Sequence, residues 1–237
     1  MIVFYIVLAG VAIYLMLLLV FSLLVDPQKE YKSHNRFYRW LLNSATAIAI
    51  RICRLKIHTS GFEKLPEGKR MLFVCNHRSK FDPIITWYAL KEKSIAFISK
   101  PENFKIPIFG RLIQRCCFLP IDRENPRNAI RTIHKAAKLL KSDQVSVGVY
   151  PEGTRNAGKE LLPFHNGVFK IAQKAEAPIV VLTIRGTEQI HKNYPYHKSH
   201  IYLDVVDVIP AAEAAGNTSV TGQRVRDMMC SDLQTEV

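Results

Sequence analysis

The stretch Val74-Cys75-Asn76-His77-Arg78-Ser79-Lys80-Phe81-Asp82-Pro83 passes from apolar to charged residues and then to a proline. The apolar run at 71–75 predicts a buried strand, and the Asp-Pro pair predicts the start of a helix. Across such a turn His77 and Asp82 can meet, and the carboxylate would then orient the imidazole as a general base. Two plainer interpretations stay open, because Asp82 is a good helix N-cap and a histidine in a turn usually has no further role.

Outward from this turn, the chain after Gly61 alternates short apolar runs with helical patterns, which is typical of an α/β fold. We therefore predict a mixed, largely parallel sheet flanked by helices, since continuous apolar runs suit strands that are covered on both faces. The predicted strands are residues 71–75, 94–99, 117–121, 145–150, 179–185 and 201–208. The predicted helices are residues 83–90, 108–115, 126–141, 166–174 and 221–233.

Charged residues follow the predicted strands at four junctions, residues 76–82, 99–102, 122–127 and 151–159. Sites in α/β sheets lie beyond the carboxyl ends of the strands, so these junctions should lie close together. At the last one, Tyr150-Pro151-Glu152-Gly153-Thr154-Arg155 combines a glycine, a hydroxyl donor and a guanidinium, which can hold a phosphate. A Pro-x-Gly turn with solvated charges explains the same residues. With Lys100 and Arg123 at two other junctions, the pattern predicts a site that holds a phosphate while a hydroxyl is deprotonated.

The amino-terminal segment from Ile2 to Val25 has no charged residue and is long enough to cross a bilayer as a helix. A signal peptide would need a basic residue before its apolar core, and a buried helix of this kind would need a larger domain around it. We therefore predict a transmembrane helix at residues 1–27. The positive-inside rule then places the amino terminus outside and the body in the cytoplasm, because basic residues follow the segment at Lys29, Lys32, Arg36 and Arg39.

Residues 28–60 are predicted to form an amphipathic helix at the membrane surface, with helical periodicity over 37–55. Its apolar face holds Phe37, Leu41, Ala45, Ile48, Ile52 and Leu55. Its basic face holds Arg36, Arg39, Arg51 and Arg54, with Trp40 between the two faces. Such a helix after a membrane span is typical of one that lies on an anionic leaflet. An ordinary helix packed on the domain, with a solvated basic side, is the alternative.

Composition narrows the class of protein. The 237 residues, 48% of them hydrophobic, suit one compact domain with an appendage and exclude wholesale disorder. We place that domain at residues 61–210, followed by a tail or helix at 211–237. A net charge of +13 predicts an anionic partner, either nucleic acid, anionic lipid or a phosphorylated substrate. Five cysteines without a Cys-x-x-Cys pair are not a disulfide framework or a zinc site, and they fit a reducing compartment.

The His-x4-Asp pattern of residues 76–82 resembles the first motif of the glycerolipid acyltransferases. The second motif resembles Gly110 through Ile121-Asp122-Arg123, the third resembles residues 150–155, and the fourth resembles residues 177–182. Residues 99–102 and 107–110 are similar to two shorter family patterns that precede the second motif. The resemblance covers about residues 61–186 and is closest to the bacterial 1-acyl-glycerol-3-phosphate (lysophosphatidic acid) acyltransferases.

This resemblance implies a membrane enzyme of phospholipid biosynthesis. It would transfer an acyl chain from acyl carrier protein or acyl-CoA, as co-substrate, to the sn-2 hydroxyl of lysophosphatidic acid, giving phosphatidic acid. His77 would be the base, oriented by Asp82, without a metal, a cofactor or a covalent intermediate. The acceptor would be bound by Lys100, Arg123, Glu152, Gly153, Thr154 and Arg155. The implied partners are membrane lipids, lysophosphatidic acid and the acyl donor, and not nucleic acid.

Two departures from the family pattern leave the substrate open. The fourth motif lacks its second proline, and His165-Asn166 stand before Gly167 where a lysine is usual. They leave open the chain-length preference and the acceptor, which could instead be glycerol 3-phosphate or another lysophospholipid. A hypothesis of a different class is a non-catalytic membrane-surface module that binds anionic lipid or nucleic acid through its basic faces.

Overall fold

The computed structural model describes residues 1–158 and 160–234, so Lys159 and residues 235–237 lie outside the described part. Its centre is a seven-stranded sheet with the strand order β1-β7-β6-β2-β5-β3-β4. The strands are β1 Leu55–Ser60, β2 Leu72–Cys75, β3 Ile95–Ser99, β4 Leu119–Pro120, β5 Ser146–Val149, β6 Ile179–Arg185 and β7 Ser199–Ile209. Neighbouring strands are parallel except β6 and β7, which are antiparallel. The prediction of a mixed, largely parallel sheet is confirmed.

The helices form two packed groups around this sheet. They are α1 Ile2–Leu23, α2 Arg36–Ile52, α3 Asp82–Ala89, α4 Phe109–Arg115, α5 Pro126–Lys141, α6 Lys170–Ala175, α7 Ile190–Asn193, α8 Ala211–Ala214 and α9 Thr218–Gln234. α2 packs against α3 and α4, whereas α6 packs against both α5 and α8, and α9 lies on β6 and β7. Every residue of β2 and β5 is buried, as their continuous apolar runs predict.

The strand β1 corrects the prediction of a single helix through Leu55. α2 ends at Ile52, and Arg54, with φ 55°, turns the chain out of the helix. Residues Leu55 to Ser60 then pair in parallel with Ser199 to Asp204 of β7. Residues 53–60 are therefore not part of a membrane-surface helix. Partly buried Leu55 and Ile57 alternate with exposed neighbours, which is the period of a strand. The predicted helical periodicity was extended too far, to Leu55.

Smaller corrections concern the ends of elements. β4 is shorter than predicted because Cys117, with φ 67°, still belongs to the turn after α4. The predicted helix at 166–174 begins with one 3₁₀ turn, Asn166–Phe169, before α6. β7 is longer than predicted and spans Ser199–Ile209, and α9 begins before its predicted start, at Thr218.

α1 and α2 lie side by side and run in opposite directions. The Tyr14 hydroxyl is 2.8 Å from the Ser44 hydroxyl, and the Phe21 ring lies 4.6 Å from the ring of Phe37. The end of α1 therefore lies beside the start of α2, and the middle of α1 lies beside the middle of α2. α1 is exposed along nearly its whole length and is long and apolar enough to cross a membrane. If α1 spans a membrane, α2 lies against it, because the two helices are in contact.

α2 does not have the single exposed basic face that the sequence predicted, because Arg39 is buried. Arg39 is only 6% exposed, its guanidinium lies over the ring of Trp87, and Nη2 donates to the carbonyl of Ile95 at 3.0 Å. One side of α2 is packed on the body, as the plainer alternative predicted. The other side exposes large apolar residues, Phe37, Trp40, Ile48 and Ile52.

Candidate active site

The four charged junctions lie at one edge of the sheet. They follow β2, β3, β4 and β5, which are neighbours in the order β2-β5-β3-β4 and are parallel, so their carboxyl ends point the same way. β6 is parallel to β2 and ends at this edge too. The prediction that these junctions meet is confirmed for the described residues, while Lys159 of the last junction is outside them.

His77 and Asp82 are in direct contact. Nδ1 of His77 lies 2.7 Å from Oδ2 of Asp82, and the carboxylate is completely buried. With a carboxylate as its neighbour, Nδ1 carries the hydrogen and donates it, which leaves Nε2 as the basic nitrogen. Among the described residues, Nε2 has no hydrogen-bond partner. The imidazole, with 15% of its side chain exposed, can therefore accept a proton from a molecule at this edge.

Asp82 does not cap its own helix, which corrects the N-cap interpretation. It is the first residue of α3, the cap position is Phe81, and no side-chain cap bond is present. The carboxylate instead turns back, and Oδ2 accepts from the backbone N–H of Arg78 at 2.6 Å and of Ser79 at 2.7 Å. Its other oxygen accepts from the hydroxyl of Thr187 at 2.5 Å. Both oxygens are thus used to hold the histidine turn.

Thr187 contacts the candidate site, and the sequence patterns did not predict this. It is buried and begins a 3₁₀ turn just after β6, behind Gly186, whose φ is 85°. A Cβ at Gly186 would come within 2.3 Å of the His200 carbonyl oxygen, so a glycine is needed for this turn. The only sequence signal was a Gly-Thr pair at the end of a predicted strand, and its partner is 105 residues away.

Glu152 locks the same turn from the neighbouring strand. It is buried, with Oε1 accepting from the backbone N–H of His77 at 2.8 Å and Oε2 from that of Leu162 at 3.0 Å. The backbone N–H of Asn156 donates to the carbonyl of His77 at 2.7 Å. Glu152 was predicted to bind the acceptor, but its oxygens are occupied by main-chain donors, and this geometry suits a positioning residue.

Two further contacts fix the imidazole and its strand. The amide of buried Asn76 both accepts from and donates to the main chain of Ile184, which ties the end of β2 to β6. The ring of Tyr150 stacks on His77 with centroids 4.4 Å apart, and burial raises the pKa of Tyr150 well above its ordinary value. The phenol therefore stays neutral and serves as a flat surface beneath the imidazole.

A cavity of about 510 Å³ has Tyr150 in its wall, next to the histidine that stacks on the same ring. Its wall is mostly apolar, with Arg123, His165 and Asn166 among its polar side chains, and it also includes Gly153. Burial lowers the pKa of Arg123 from its ordinary value, yet a guanidinium remains charged at neutral pH. Gly153 has φ 71°, and a Cβ there would lie 2.6 Å from Cδ2 of His165, so the imidazole packs directly on the glycine.

The remaining predicted residues lie at the rim. Lys100, Thr154 and Arg155 are exposed, follow β3 and β5, and are not part of the cavity wall. The structure thus brings His77, Asp82 and Glu152 into one hydrogen-bonded unit and places Arg123 and Gly153 in one cavity. Lys100, Thr154 and Arg155 share the edge with them, but in the described part of the chain no side-chain hydrogen bond or ion pair joins these three to the others.

Comparison with known proteins shows the family of this chain. The sequence model of the family described as Acyltransferase matches residues 56–185, which is more than half of the chain and includes the four junctions. The chain belongs to the acyltransferase family. The family region begins with β1 and ends with β6, so Thr187 lies just beyond it.

Similar members of this family carry one name. The chain is 28% identical over 166 residues to the 1-acyl-sn-glycerol-3-phosphate acyltransferase of Haemophilus influenzae, covering 69% of this chain and 66% of that protein. It is 34% identical over 194 residues to the chloroplastic enzyme LPAT1 of Arabidopsis thaliana, covering 79% of this chain and 52% of that protein. The chain therefore spans about two thirds or less of the length of these relatives.

A solved structure shows the same fold over nearly the whole chain. It is the 1-acyl-sn-glycerophosphate (LPA) acyltransferase of Thermotoga maritima, with a TM-score of 0.72 and 20% sequence identity. The likeness covers 98% of this chain and 91% of that one, so it includes the helices α1 and α2 as well as the sheet.

Proposed function

We propose that this acyltransferase-family protein acylates the sn-2 hydroxyl of 1-acyl-glycerol 3-phosphate and so produces phosphatidic acid for phospholipid biosynthesis. The observation that carries this proposal is the His77–Asp82 pair, 2.7 Å apart, beside a cavity that contains a guanidinium. The names of the relatives support the acceptor. The donor would be a thioester of acyl carrier protein or coenzyme A.

The proposed chemistry uses His77 twice. Nε2 takes the proton of the acceptor hydroxyl while the oxygen attacks the thioester carbonyl, and Asp82 stabilises the imidazolium that forms. The tetrahedral intermediate then collapses with cleavage of the C–S bond, and the departing sulfur takes the proton back from Nε2. Such general-base catalysis contributes about 10²–10⁴-fold to the rate. The fixed histidine turn and the bound phosphate would supply the rest by positioning.

We assign recognition of the phosphate to the cations at this edge. Arg123 is exposed but lines the cavity, and its guanidinium is suited to the phosphate of an entering acceptor. Lys100, Thr154 and Arg155 are exposed at the rim, where they would meet the acceptor or the phosphate of the donor. The net charge of +13 favours both phosphorylated substrates.

We further propose that α1 anchors the protein in the cell membrane with the body on the cytoplasmic face. The supporting observations are the exposed apolar surface of α1 and the basic residues that follow it. The exposed apolar side of α2 extends the same lipid-facing surface, since the two helices are in contact.

Acyl transfer in detergent tests the proposal. Purified His77→Gln protein should lose at least about 10²-fold in kcat, because the variant has no base at this position. Lysophosphatidic acid, glycerol 3-phosphate and lysophosphatidylcholine would be offered as acceptors, each with acyl-CoA and with acyl carrier protein. The matched control is His134→Gln, an exposed histidine on α5. Full activity of His77→Gln would contradict the mechanism. Transfer only to an acceptor other than lysophosphatidic acid would contradict the proposed substrate.

Arg123 has its own prediction. Removing a charged hydrogen bond costs about 1.5–3 kcal/mol, so Arg123→Gln should raise KM for the phosphorylated acceptor about 10- to 100-fold and KM for the donor much less. Arg127→Gln, an exposed arginine on α5, is the control and should leave both values unchanged. Equal effects of Arg123→Gln on both substrates would remove it from the acceptor site.

A further inference from the structure

The connection between α7 and β7 exposes two tyrosines at the active-site edge. We call residues 192–198, Lys192-Asn193-Tyr194-Pro195-Tyr196-His197-Lys198, the tyrosine loop. β6 ends at the edge that holds His77, and β7 runs back from it, so the loop between them belongs to that edge. Tyr194 is 46% exposed and Tyr196 is 81% exposed.

This loop is exposed but held in place. Nη1 of Arg54, just after α2, donates to the carbonyls of Pro195 at 3.1 Å and Tyr196 at 3.0 Å. Within the loop, the backbone N–H of His197 donates to the carbonyl of Asn193 at 2.7 Å. Fixed main chain with outward aromatic side chains is the form of a docking surface, because the backbone that carries the rings is already ordered before any partner binds.

The charge of this surface has one sign. From Gln189 to Tyr202 the sequence has no acidic residue, while it has two lysines and three histidines. Lys192 and Lys198 flank the tyrosines, and both are exposed. Arg51, exposed near the end of α2, adds to the basic surface beside Arg54. The partner of this surface is therefore anionic.

The apolar helices converge on the same end of the molecule. α2 leads into β1, whose first residue, Leu55, pairs with Ser199 directly after the tyrosine loop. Ile48 and Ile52, in the last turns of α2, are exposed there. Because α1 runs opposite to α2, its exposed amino-terminal half extends toward this end as well.

We propose that the tyrosine loop is a second membrane contact, which docks the His77 edge on an anionic bilayer. Tyr194 and Tyr196 would lie at the level of the headgroups, as amphipathic rings do, and Lys192 and Lys198 would meet anionic lipid. An acidic protein is a different possible partner, but the paired tyrosines and the adjoining apolar helices fit lipid. The consequence is an acceptor that enters the site from the bilayer without crossing water.

A depth measurement on the full chain tests this contact independently of activity. Tyr196→Cys would be labelled with an environment-sensitive fluorophore in a Cys53→Ser, Cys230→Ser background, in vesicles with 30 mol% phosphatidylglycerol and nitroxide-labelled lipid. The other cysteines are buried, and burial raises the pKa of Cys116 to about 12 and of Cys117 to about 11, so they do not compete for the label. The control is Ala215→Cys, an exposed position beyond the far end of β7.

The Tyr196 label should be quenched several-fold more than the Ala215 label, and less so in vesicles of neutral lipid. Equal quenching of the two labels overturns the proposal. In a second arm, Lys192→Glu with Lys198→Glu should raise KM about tenfold for acceptor in anionic vesicles and leave KM unchanged for a short-chain soluble acceptor. A raised KM only for a protein-bound donor, without quenching at Tyr196, would assign the surface to an acidic protein and overturn the bilayer proposal. The quenching measurement does not depend on acyl transfer, so it tests the membrane contact even if the proposed function is wrong.

Discussion

At the scale of single residues, Asp82 is the centre of the site. A carboxylate with no exposed surface needs donors to replace water, and this one has the Nδ1 of His77, two backbone N–H groups and the hydroxyl of Thr187. Three of these donors come from the turn that directly precedes it. The fourth comes from the end of β6 and holds the carboxylate in the orientation that faces the histidine.

Thr187→Val should therefore lower kcat about tenfold with little change in either KM, because one oxygen of a buried carboxylate loses its partner and the histidine is held less firmly. Thr187→Ser should restore most of kcat, since it returns the hydroxyl. Thermal unfolding of the same proteins separates this effect from general instability. If Thr187→Ser and Thr187→Val are equally slow, the hydroxyl does not act through Asp82.

At the scale of elements, α2 shows how a residue pattern can be assigned to the wrong face. Its arginines recur at helical spacing, which predicted one basic surface, yet Arg39 points into the body and lies over Trp87. The guanidinium is tolerated there because its stem is apolar, its flat face stacks on the indole and one edge reaches the Ile95 carbonyl. α2 is therefore clamped to the start of β3, and its apolar outer side is left for α1 and lipid.

Arg39→Ala should lower the free energy of unfolding by about 2–4 kcal/mol, because it removes a buried stacking contact and leaves a carbonyl without its donor. Arg36→Ala, an exposed arginine of the same helix, should change it by less than about 0.5 kcal/mol. Denaturant unfolding in detergent measures both. If Arg39→Ala and Arg36→Ala both left the free energy of unfolding unchanged and weakened only membrane binding, the result would support the basic face that the sequence predicted.

At the scale of the whole molecule, one edge of the sheet gathers the chemistry and the apolar surfaces. The His77 turn, the cavity with Arg123, the tyrosine loop and the end of α2 all lie at the carboxyl ends of β2 and its neighbours. The antiparallel contact of α1 with α2 directs the long apolar helix to the same end. The site would therefore lie at the membrane surface, where a lipid substrate is located.

The double variant Leu8→Lys, Val11→Lys tests the role of α1. Lysine near the centre of a spanning helix costs about 2.5–3.5 kcal/mol per residue, so the protein should shift from detergent extraction to extraction by high salt or carbonate. Val220→Lys, an exposed apolar position on α9, should leave extraction unchanged. A double variant that still requires detergent would show that α1 does not span the membrane.

The sequence by itself determined the α/β class, the long apolar segment at the amino terminus, the order of the strands and longer helices after Gly61, and the four charged junctions. These depend on periodicity and on chemistry within a few residues, such as the apolar run before His77 and the proline after Asp82.

Only the tertiary structure decided the rest: β1 at the edge of the sheet, Arg39 inside the body, Thr187 on Asp82 and Arg54 on the tyrosine loop. Each of these contacts joins distant segments, since Arg39 is 56 residues from Ile95 and Thr187 is 105 residues from Asp82. No local pattern contains them, because the partner that satisfies each donor or strand edge is brought there only when the sheet forms.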